Sequence, residues 1–137
     1  SCLAAMVASQ VPYWRFISAA GLLGSLMTAR TAETKTVAMR TMTGKIVERT
    51  ESEIWRWIEG ASMLVLDDVG LRAETEARAE AFLEVMNKRF HKPTIITTNC
   101  DSATLREMVG ERVFSRILAG QQFRVSGANR RIAGGGR

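Results

Sequence analysis

Apolar positions along this chain follow two different periods, and their alternation predicts strands separated by helices. Short runs of β-branched, aromatic and aliphatic residues predict strands over residues 13–18, 62–66 and 94–98. Apolar residues at helical spacing predict helices over residues 1–10, 19–30, 45–60, 74–90 and 111–118. A further short helix is predicted to be capped by Asp101 or Ser102 and to end at Gly110.

This order of elements favours an α/β fold with a parallel, doubly wound sheet and helices on both faces. Residues 31–43 are rich in threonine and weakly patterned, which predicts a loop or a lid that orders on binding. Residues 122–126 are predicted to form a final strand, and Gly134, Gly135 and Gly136 a flexible end. Trp14, Trp55 and Trp57 are interpreted as packing residues rather than base-stacking platforms, because none lies in a basic aromatic run.

Composition limits the class of protein. With 137 residues, of which 46% are hydrophobic, the chain suits one compact domain. No apolar run is long enough to span a bilayer, and residues 1–8 lack the features of a signal peptide, so we expect a cytoplasmic protein without a membrane partner. Two distant cysteines, Cys2 and Cys100, and the single His91 make a zinc site or a disulfide framework an unfavourable interpretation.

The positive charge is concentrated at the C-terminal end. From Arg112 onward there are six arginines and no acid, whereas residues 1–111 hold 13 basic and 14 acidic side chains. Arginine without lysine suits bidentate recognition of phosphate or carboxylate. The competing interpretation is a solvated basic tail.

Two adjacent carboxylates, Asp67 and Asp68, follow the apolar run of residues 62–66. A strand buried on both faces of a parallel sheet delivers the residues that follow it to the carboxyl edge, where ligands bind. One aspartate there would hold Mg²⁺, directly or through water, and the other would polarise an attacking water. The competing interpretation is a strand-terminating turn, which aspartate and glycine favour on conformational grounds.

Three further motifs follow the aspartate pair along the chain. They are, in order, Asn99 after the next predicted strand, the segment Glu-Arg-Val-Phe-Ser-Arg-Ile at residues 111–117, and Arg130-Arg131. With these motifs the chain resembles the AAA+ ATPases, and within them the helicase-loader and initiator branch of DnaC, IstB and DnaA. The resemblance covers residues 1 to about 131 and leaves residues 132–137 as a Gly-rich tail. It implies a P-loop NTPase-like sheet, with ATP and Mg²⁺ as cofactors.

Carried onto matching positions, the resemblance implies that Asp67 coordinates Mg²⁺ and that Asp68 is the Walker B acid that activates water. Asn99 matches the sensor 1 position, where a neutral amide holds the attacking water or the γ-phosphate. A helix-entry turn is the other role that an asparagine has at such a position.

The basic residues carry the second half of the resemblance. Arg116 resembles an arginine finger, which reaches the γ-phosphate bound by a neighbouring subunit. Arg112 lies four residues earlier on the same helical face and could approach the same phosphate, unless it forms a surface salt bridge with Glu111 or Glu107. Arg130 or Arg131 resembles the sensor 2 arginine; contact of a basic tail with nucleic acid is the competing role.

The chain departs from the family in having no G-x-x-x-x-G-K-[ST] segment, whose amides and lysine cradle phosphates. In the family the helix that resembles residues 1–10 follows the Gly-Lys pair, so Ser1 is a candidate for the hydroxyl residue that contacts nucleotide and Mg²⁺. The chain is then either a truncated piece of a longer ATPase or a natural protein that has lost nucleotide binding. We favour truncation, because the acids, the asparagine and the finger arginine are retained together.

The leading hypothesis is an ATP-dependent DNA replication accessory protein of the helicase-loader type, working as a homo-oligomeric ring or spiral on single- or double-stranded DNA and a replicative helicase. This chain alone is expected to bind ATP poorly and to hydrolyse it negligibly. A transposition helper acting with a transposase is the alternative within the family. Two other classes remain: a partner that donates Arg116 to another ATPase, and a non-hydrolysing module whose phosphate-backbone patch is Arg112, Arg116, Arg124, Arg130 and Arg131.

Overall fold

The structure is a computed structural model that describes residues 4–6, 10 and 12–125. Within residues 12–125 the elements are, in order, β1 (Trp14–Ser18), α1 (Ala19–Thr31), β2 (Thr36–Arg40), β3 (Ile46–Thr50), α2 (Glu51–Gly60), β4 (Met63–Asp67), α3 (Glu76–Lys88), β5 (Thr94–Ile96), α4 (Ser102–Val109) and α5 (Glu111–Leu118). Residues 4–6 are also helical. The predicted α/β fold class is confirmed. Within the described ranges, none of the helices has the length and apolar composition that a membrane crossing requires.

The central sheet has the strand order β1-β4-β5, and both strand pairings are parallel. Ser18 at the end of β1 pairs with Asp67 at the end of β4, and Leu66 pairs with Ile96 at the end of β5. The carboxyl ends of all three strands therefore lie along one edge of the sheet, which is where the sequence predicts the site.

The sheet buries apolar side chains on both faces, as the continuous apolar run of β4 predicts. On one face Leu64 and Leu66 are at most 1% exposed and belong to the main core, which α1, α2 and α3 complete. On the other face Val65 is fully buried in a second cluster with Ala4 of the N-terminal helical segment. Burial of alternate β4 residues on opposite faces explains why this strand carries no polar position before Asp67.

The loop or lid predicted over residues 31–43 was wrong. Residues 36–50 form a β-hairpin, in which β2 and β3 pair antiparallel from Thr36 opposite Thr50 to Arg40 opposite Ile46. Gly44 has a φ of 85° and closes the turn with its amide donating to the Thr41 carbonyl at 2.9 Å. The threonine- and valine-rich pattern thus fits strands rather than a loop or a lid.

The helix predicted from residue 45 begins only at Glu51. Thr50 and Glu53 form a capping box: the Thr50 hydroxyl accepts from the Glu53 amide at 3.3 Å, and the Glu53 carboxylate accepts from the Thr50 amide at 2.7 Å. This reciprocal capping sets the helix start, because it satisfies two backbone donors that a longer helix would have used internally.

The final strand predicted over residues 122–126 is absent from its described part. Residues 121–125 have no regular structure and take part in no described strand pairing, and Phe123 and Val125 are 79% and 75% exposed. Ser126, the Gly-rich end and most of the predicted helix of residues 1–10 lie outside the described residues. The other predicted helices and strands are confirmed to within about two residues at each end.

Candidate functional site

The two adjacent carboxylates lie in different environments at the end of β4. Asp67 is the last residue of the strand and is 8% exposed, whereas Asp68 is exposed and has a φ of 54°. Aspartate tolerates this left-handed conformation better than most residues, because its short polar side chain can form local hydrogen bonds. The backbone turn at Asp68 therefore holds one carboxylate against the sheet and exposes the other to solvent.

Thr97, the residue directly after β5, connects both aspartates. Its Oγ1 donates to Oδ1 of Asp67 at 2.5 Å and accepts from the backbone amide of Asp68 at 3.1 Å. Its own amide donates to the Leu66 carbonyl at 3.0 Å, and its carbonyl accepts from the Val69 amide at 2.9 Å. The sheet pairing thus continues past the formal strand ends and fixes the position of the acid pair.

Sequence reasoning missed Thr97 as a site residue. The available signal was its place: a hydroxyl side chain that directly follows a strand, at the edge where the neighbouring strand presents Asp67. Asn99, which sequence reasoning did name, lies beside the acid pair, and its Nδ2 donates to Oδ1 of Asp68 at 3.3 Å. The structure therefore brings Asp67, Asp68 and Asn99 together, and the roles assigned to them remain predictions.

The turns that follow the acids and the asparagine are also joined to each other. Gly70 has a φ of 84°, and a Cβ there would lie 2.9 Å from Leu105 Cδ1 and 3.2 Å from Cys100 Sγ. The Cys100 thiol donates to the Gly70 carbonyl at 3.3 Å. Glycine is required at this position both by its backbone conformation and by the close approach of the second turn.

The two predicted phosphate-binding arginines of α5 lie on its exposed side. Arg112 Nη1 lies 2.8 Å from Glu80 Oε1 of α3, with the two side chains 72% and 59% exposed, so the pair contributes little to stability. Arg112 thus forms a surface salt bridge, the alternative role considered for it, but with Glu80 rather than with the example partners Glu111 or Glu107. The reason is that α5 packs against α3, while Glu111 pairs with Arg106 at 3.3 Å.

Arg116 is exposed and forms no hydrogen bond or ion pair with any described residue. Neither Arg116 nor Arg112 has a hydrogen bond to Asp67, Asp68 or Asn99, so the described cluster is built by strand ends alone. Ser1, Arg130 and Arg131 lie outside the described residues, and their assigned roles remain predictions.

The acid pair fits the protein's share of a Mg²⁺ site. No group of three or more His, Cys, Asp or Glu side chains within the described ranges could hold a metal ion by itself. Mg²⁺ does not need such a group, because it is usually bound by one or two carboxylates while phosphate oxygens and waters fill its other positions. Asp67 and Asp68 match this donor set. The chain has no G-x-x-x-x-G-K-[ST] segment to hold the phosphates themselves.

Among solved structures, this fold is similar to the crystal structure of the DnaC helicase loader, with a TM-score of 0.63 and 22% sequence identity. The match covers 85% of this chain and 66% of that chain, so this chain spans a little under two thirds of the length of its structural relative. Neither a protein-family model nor a curated protein sequence matches the chain. The similarity shows a fold like that of the DnaC helicase loader.

Proposed function

We propose that this chain belongs to an ATP-dependent DNA replication accessory protein of the helicase-loader type. The observation that carries the proposal is the hydrogen-bonded cluster of Asp67, Asp68, Thr97 and Asn99 at the carboxyl edge of a parallel sheet, within a DnaC-like fold. Ligands of open α/β sheets bind outside this edge. An acid pair fixed by neighbouring strand ends there suits the water and metal chemistry of nucleotide hydrolysis.

Each residue of the cluster has a distinct role in this proposal. Asp67 holds Mg²⁺, directly or through water, and the Thr97 hydroxyl fixes the orientation of its carboxylate. Asp68 polarises the attacking water from its exposed position, and Asn99 orients the Asp68 carboxylate without adding charge. Mg²⁺, when bound, neutralises phosphate charge. Because Asp67 is buried and Asp68 exposed, the two acids divide these tasks by environment.

The arginine of α5 is proposed to act between subunits. Arg116 is exposed and free of ion pairs within the described part of the chain, so it is available to reach a phosphate held by a neighbouring copy. Arg112 would join it after leaving Glu80, an exchange that costs little for an exposed pair. Ser1 and one of Arg130 and Arg131 complete the nucleotide contacts proposed from the resemblance. Nucleotide state would then control assembly of a ring or spiral on DNA and on a replicative helicase.

The test uses the protein expressed from its natural reading frame. Asp68→Asn and Arg116→Ala are each expected to retain ATP binding and to reduce hydrolysis at least 100-fold, the scale expected when a transition-state charge contact is lost. Arg106→Ala is the control, because Arg106 is also exposed but pairs with Glu111. Unchanged hydrolysis in Arg116→Ala would remove the finger assignment, and absence of ATP binding by the wild-type protein would overturn the proposal.

Mixing the two inactive variants tests whether the finger acts between subunits. An interface that joins an Arg116→Ala subunit to an Asp68→Asn subunit can combine the intact acid of the first with the intact arginine of the second. Partial recovery of hydrolysis on mixing is expected if Arg116 works on a neighbour's nucleotide. No recovery, in a mixture shown by sedimentation to co-assemble, would place Arg116 on its own subunit's site.

A further inference from the structure

Arg15 is an arginine in an unusual position on the central sheet. It lies in β1 on the face that packs toward α2, and its guanidinium carbon is 5.2 Å from the centroid of the Trp57 ring. Nε of Arg15 is buried and has no hydrogen-bond partner among the described residues. A buried donor on a charged group is costly to leave unpaired, so this position is built for something other than stability.

A second arginine adds to the positive charge at this position. Burial lowers the pKa of Arg15, and the nearby positive charge of Arg49 in β3 lowers the pKa further. Within the described residues no carboxylate lies within ion-pair distance of either guanidinium. Two arginines that repel each other without a shared acid create an electrostatic demand for an anion.

The nearby acids are already engaged elsewhere. The Glu53 carboxylate accepts from the Thr50 amide in the capping box at 2.7 Å, although Arg49 contributes to the lowered pKa of Glu53. Glu51 accepts from Arg30 Nε at 2.6 Å and from Trp55 Nε1 at 3.2 Å. Glu48 precedes Arg49 in β3 and so points to the opposite face of the hairpin. Arg15 therefore has no carboxylate partner among the described side chains, whereas the Glu53 carboxylate balances part of the Arg49 charge.

We propose that Arg15, Arg49 and Trp57 form a binding site for a backbone phosphate of a nucleic-acid strand. A guanidinium stacked on an indole keeps its N–H edge available for two parallel hydrogen bonds to phosphate oxygens. All three side chains retain partial solvent exposure, so a phosphate that is still part of a polymer can reach them. Trp57 also packs against the core, which holds the arginine in place.

This site is separate from the acid cluster. Arg15 precedes Ser18, the edge residue of β1, by three positions, which corresponds to about 10 Å along a strand. The inference rests on the DNA contact of the proposed function and names residues for it, but it needs no nucleotide. Binding to the site is predicted in the absence of ATP and Mg²⁺, so failure of the nucleotide proposal and failure of this one are distinguishable.

The test measures binding of a fluorescently labelled 20-nucleotide oligothymidylate by anisotropy, without ATP or Mg²⁺, at several salt concentrations. Arg49→Gln is expected to weaken affinity at least fivefold and to lower the slope of log affinity against log salt by about 0.7, the value for one lost phosphate contact on a single strand. Arg106→Gln is the matched control, since Arg106 also stacks on an aromatic ring, Phe114, at 4.9 Å but has Glu111 as its partner.

Arg15→Lys provides a second variant that keeps the charge but loses the planar stacked fork. It is expected to weaken oligonucleotide binding while its urea unfolding midpoint stays close to that of the wild type. The proposed site would be wrong if Arg49→Gln and Arg15→Lys bound the oligonucleotide as tightly as the Arg106→Gln control does. An equal loss in the Arg106 control would also overturn it, because net charge would then explain the effect.

Inorganic phosphate and tripolyphosphate separate a polymer site from a site for free anions. The proposal is supported if the oligonucleotide competes with these free anions for the site. Its binding should also quench tryptophan fluorescence, and Trp57→Phe should abolish that quenching. If tripolyphosphate raises the melting temperature in an Arg49-dependent way while oligonucleotide binding is insensitive to Arg49→Gln, the site binds free phosphates and the nucleic-acid assignment is wrong.

Discussion

The Thr97 hydroxyl lies 2.5 Å from the buried carboxylate of Asp67, and the same oxygen accepts the backbone amide of Asp68. One side chain that follows β5 therefore sets the geometry of the acid pair at the end of β4. The site depends on the pairing of these two strands rather than on a loop of its own. Support from a neighbouring strand suits a catalytic pair, which has to be held within a fraction of an ångström.

Replacing Thr97 by valine is expected to destabilise the protein by about 1–3 kcal/mol, because a buried carboxylate oxygen and a backbone amide lose their partner while side-chain volume is kept. Thr97→Ser retains the hydroxyl and should lose less than half as much. Urea unfolding followed by circular dichroism measures both values. Equal destabilisation by the two variants would show that the methyl group, not the hydrogen bonds, matters at this position.

In the turn after the acid pair, a single added methyl group at Gly70 is expected to destabilise the protein. Gly70→Ala places a Cβ on a backbone with a φ of 84° and within 2.9 Å of Leu105, so we expect a loss of at least about 1–2 kcal/mol. Gly60→Ala is the control: Gly60 ends α2 and has no atom within 4 Å of its Cβ position. Alanine there should be neutral or slightly stabilising. Similar urea midpoints for both variants would contradict the assigned role of Gly70.

The acid cluster and its turn illustrate what sequence alone could and could not predict. Asp67 and Asp68 were expected at the carboxyl edge because a parallel strand delivers the residues that follow it there, and Asn99 was expected after the next strand. Thr97 was not predicted, because its position after a strand was the only signal, and its contact with Asp67 depends on sheet pairing that continues past β5. The requirement for glycine at position 70 could not be predicted either, because it depends on how closely the turn at Cys100 approaches Gly70 in the folded protein.

Longer-range contacts explain the remaining misses. The hairpin of residues 36–50 was overlooked because its strands are short, polar on one face and stabilised by packing against α1. The pairing of Arg112 with Glu80 follows from how α5 lies on α3, which local spacing does not encode. The continuous apolar run predicted β4 to within one residue, because burial on both faces makes the strand apolar up to Asp67.

Arg89 is a buried structural arginine, and its removal should cost more than that of any exposed arginine. It is 2% exposed and donates to the carbonyls of Ile58 and Ala61, each at 2.8 Å, and of Pro93 at 2.7 Å. Arg89→Met leaves these acceptors unpaired, so we expect a loss of at least about 2 kcal/mol in the free energy of unfolding. The exposed Arg56→Met serves as the control and should change stability by less than about 0.5 kcal/mol. Comparable losses in the two variants would contradict this role.

The N-cap of α4 predicts a pH dependence of stability. A hydrogen bond from the Thr104 amide, at 2.8 Å, lowers the pKa of Asp101 below its usual value of 3.8. Since the folded-state pKa is the lower one, the ionised cap stabilises the fold at pH values above the unfolded-state pKa. That contribution is lost as the pH falls through the folded-state pKa.

Asp101→Asn keeps a capping oxygen but removes the ionisation. Urea midpoints measured at pH 6, 4 and 3 should therefore fall less steeply in this variant than in the wild type. Ser102→Ala, which leaves the charge at Asp101 in place, should show the wild-type pH dependence. Identical slopes in Asp101→Asn and the wild type would show that the cap does not contribute to acid sensitivity.

The last prediction concerns nucleotide chemistry in a protein that consists of these 137 residues alone. It retains the acid pair and Asn99 but contains no G-x-x-x-x-G-K-[ST] segment to cradle the phosphates. Since positioning of the phosphates and their charge supplies most of the catalysis in phosphoryl transfer, ATP should bind weakly and turnover should not exceed background. Release of labelled phosphate, compared between the wild type and Asp68→Ala, measures this directly. Turnover above background that Asp68→Ala abolishes would contradict this prediction. It would show that another part of these 137 residues holds the phosphates. The cluster of Asp67, Asp68, Thr97 and Asn99 would then catalyse hydrolysis without a G-x-x-x-x-G-K-[ST] segment.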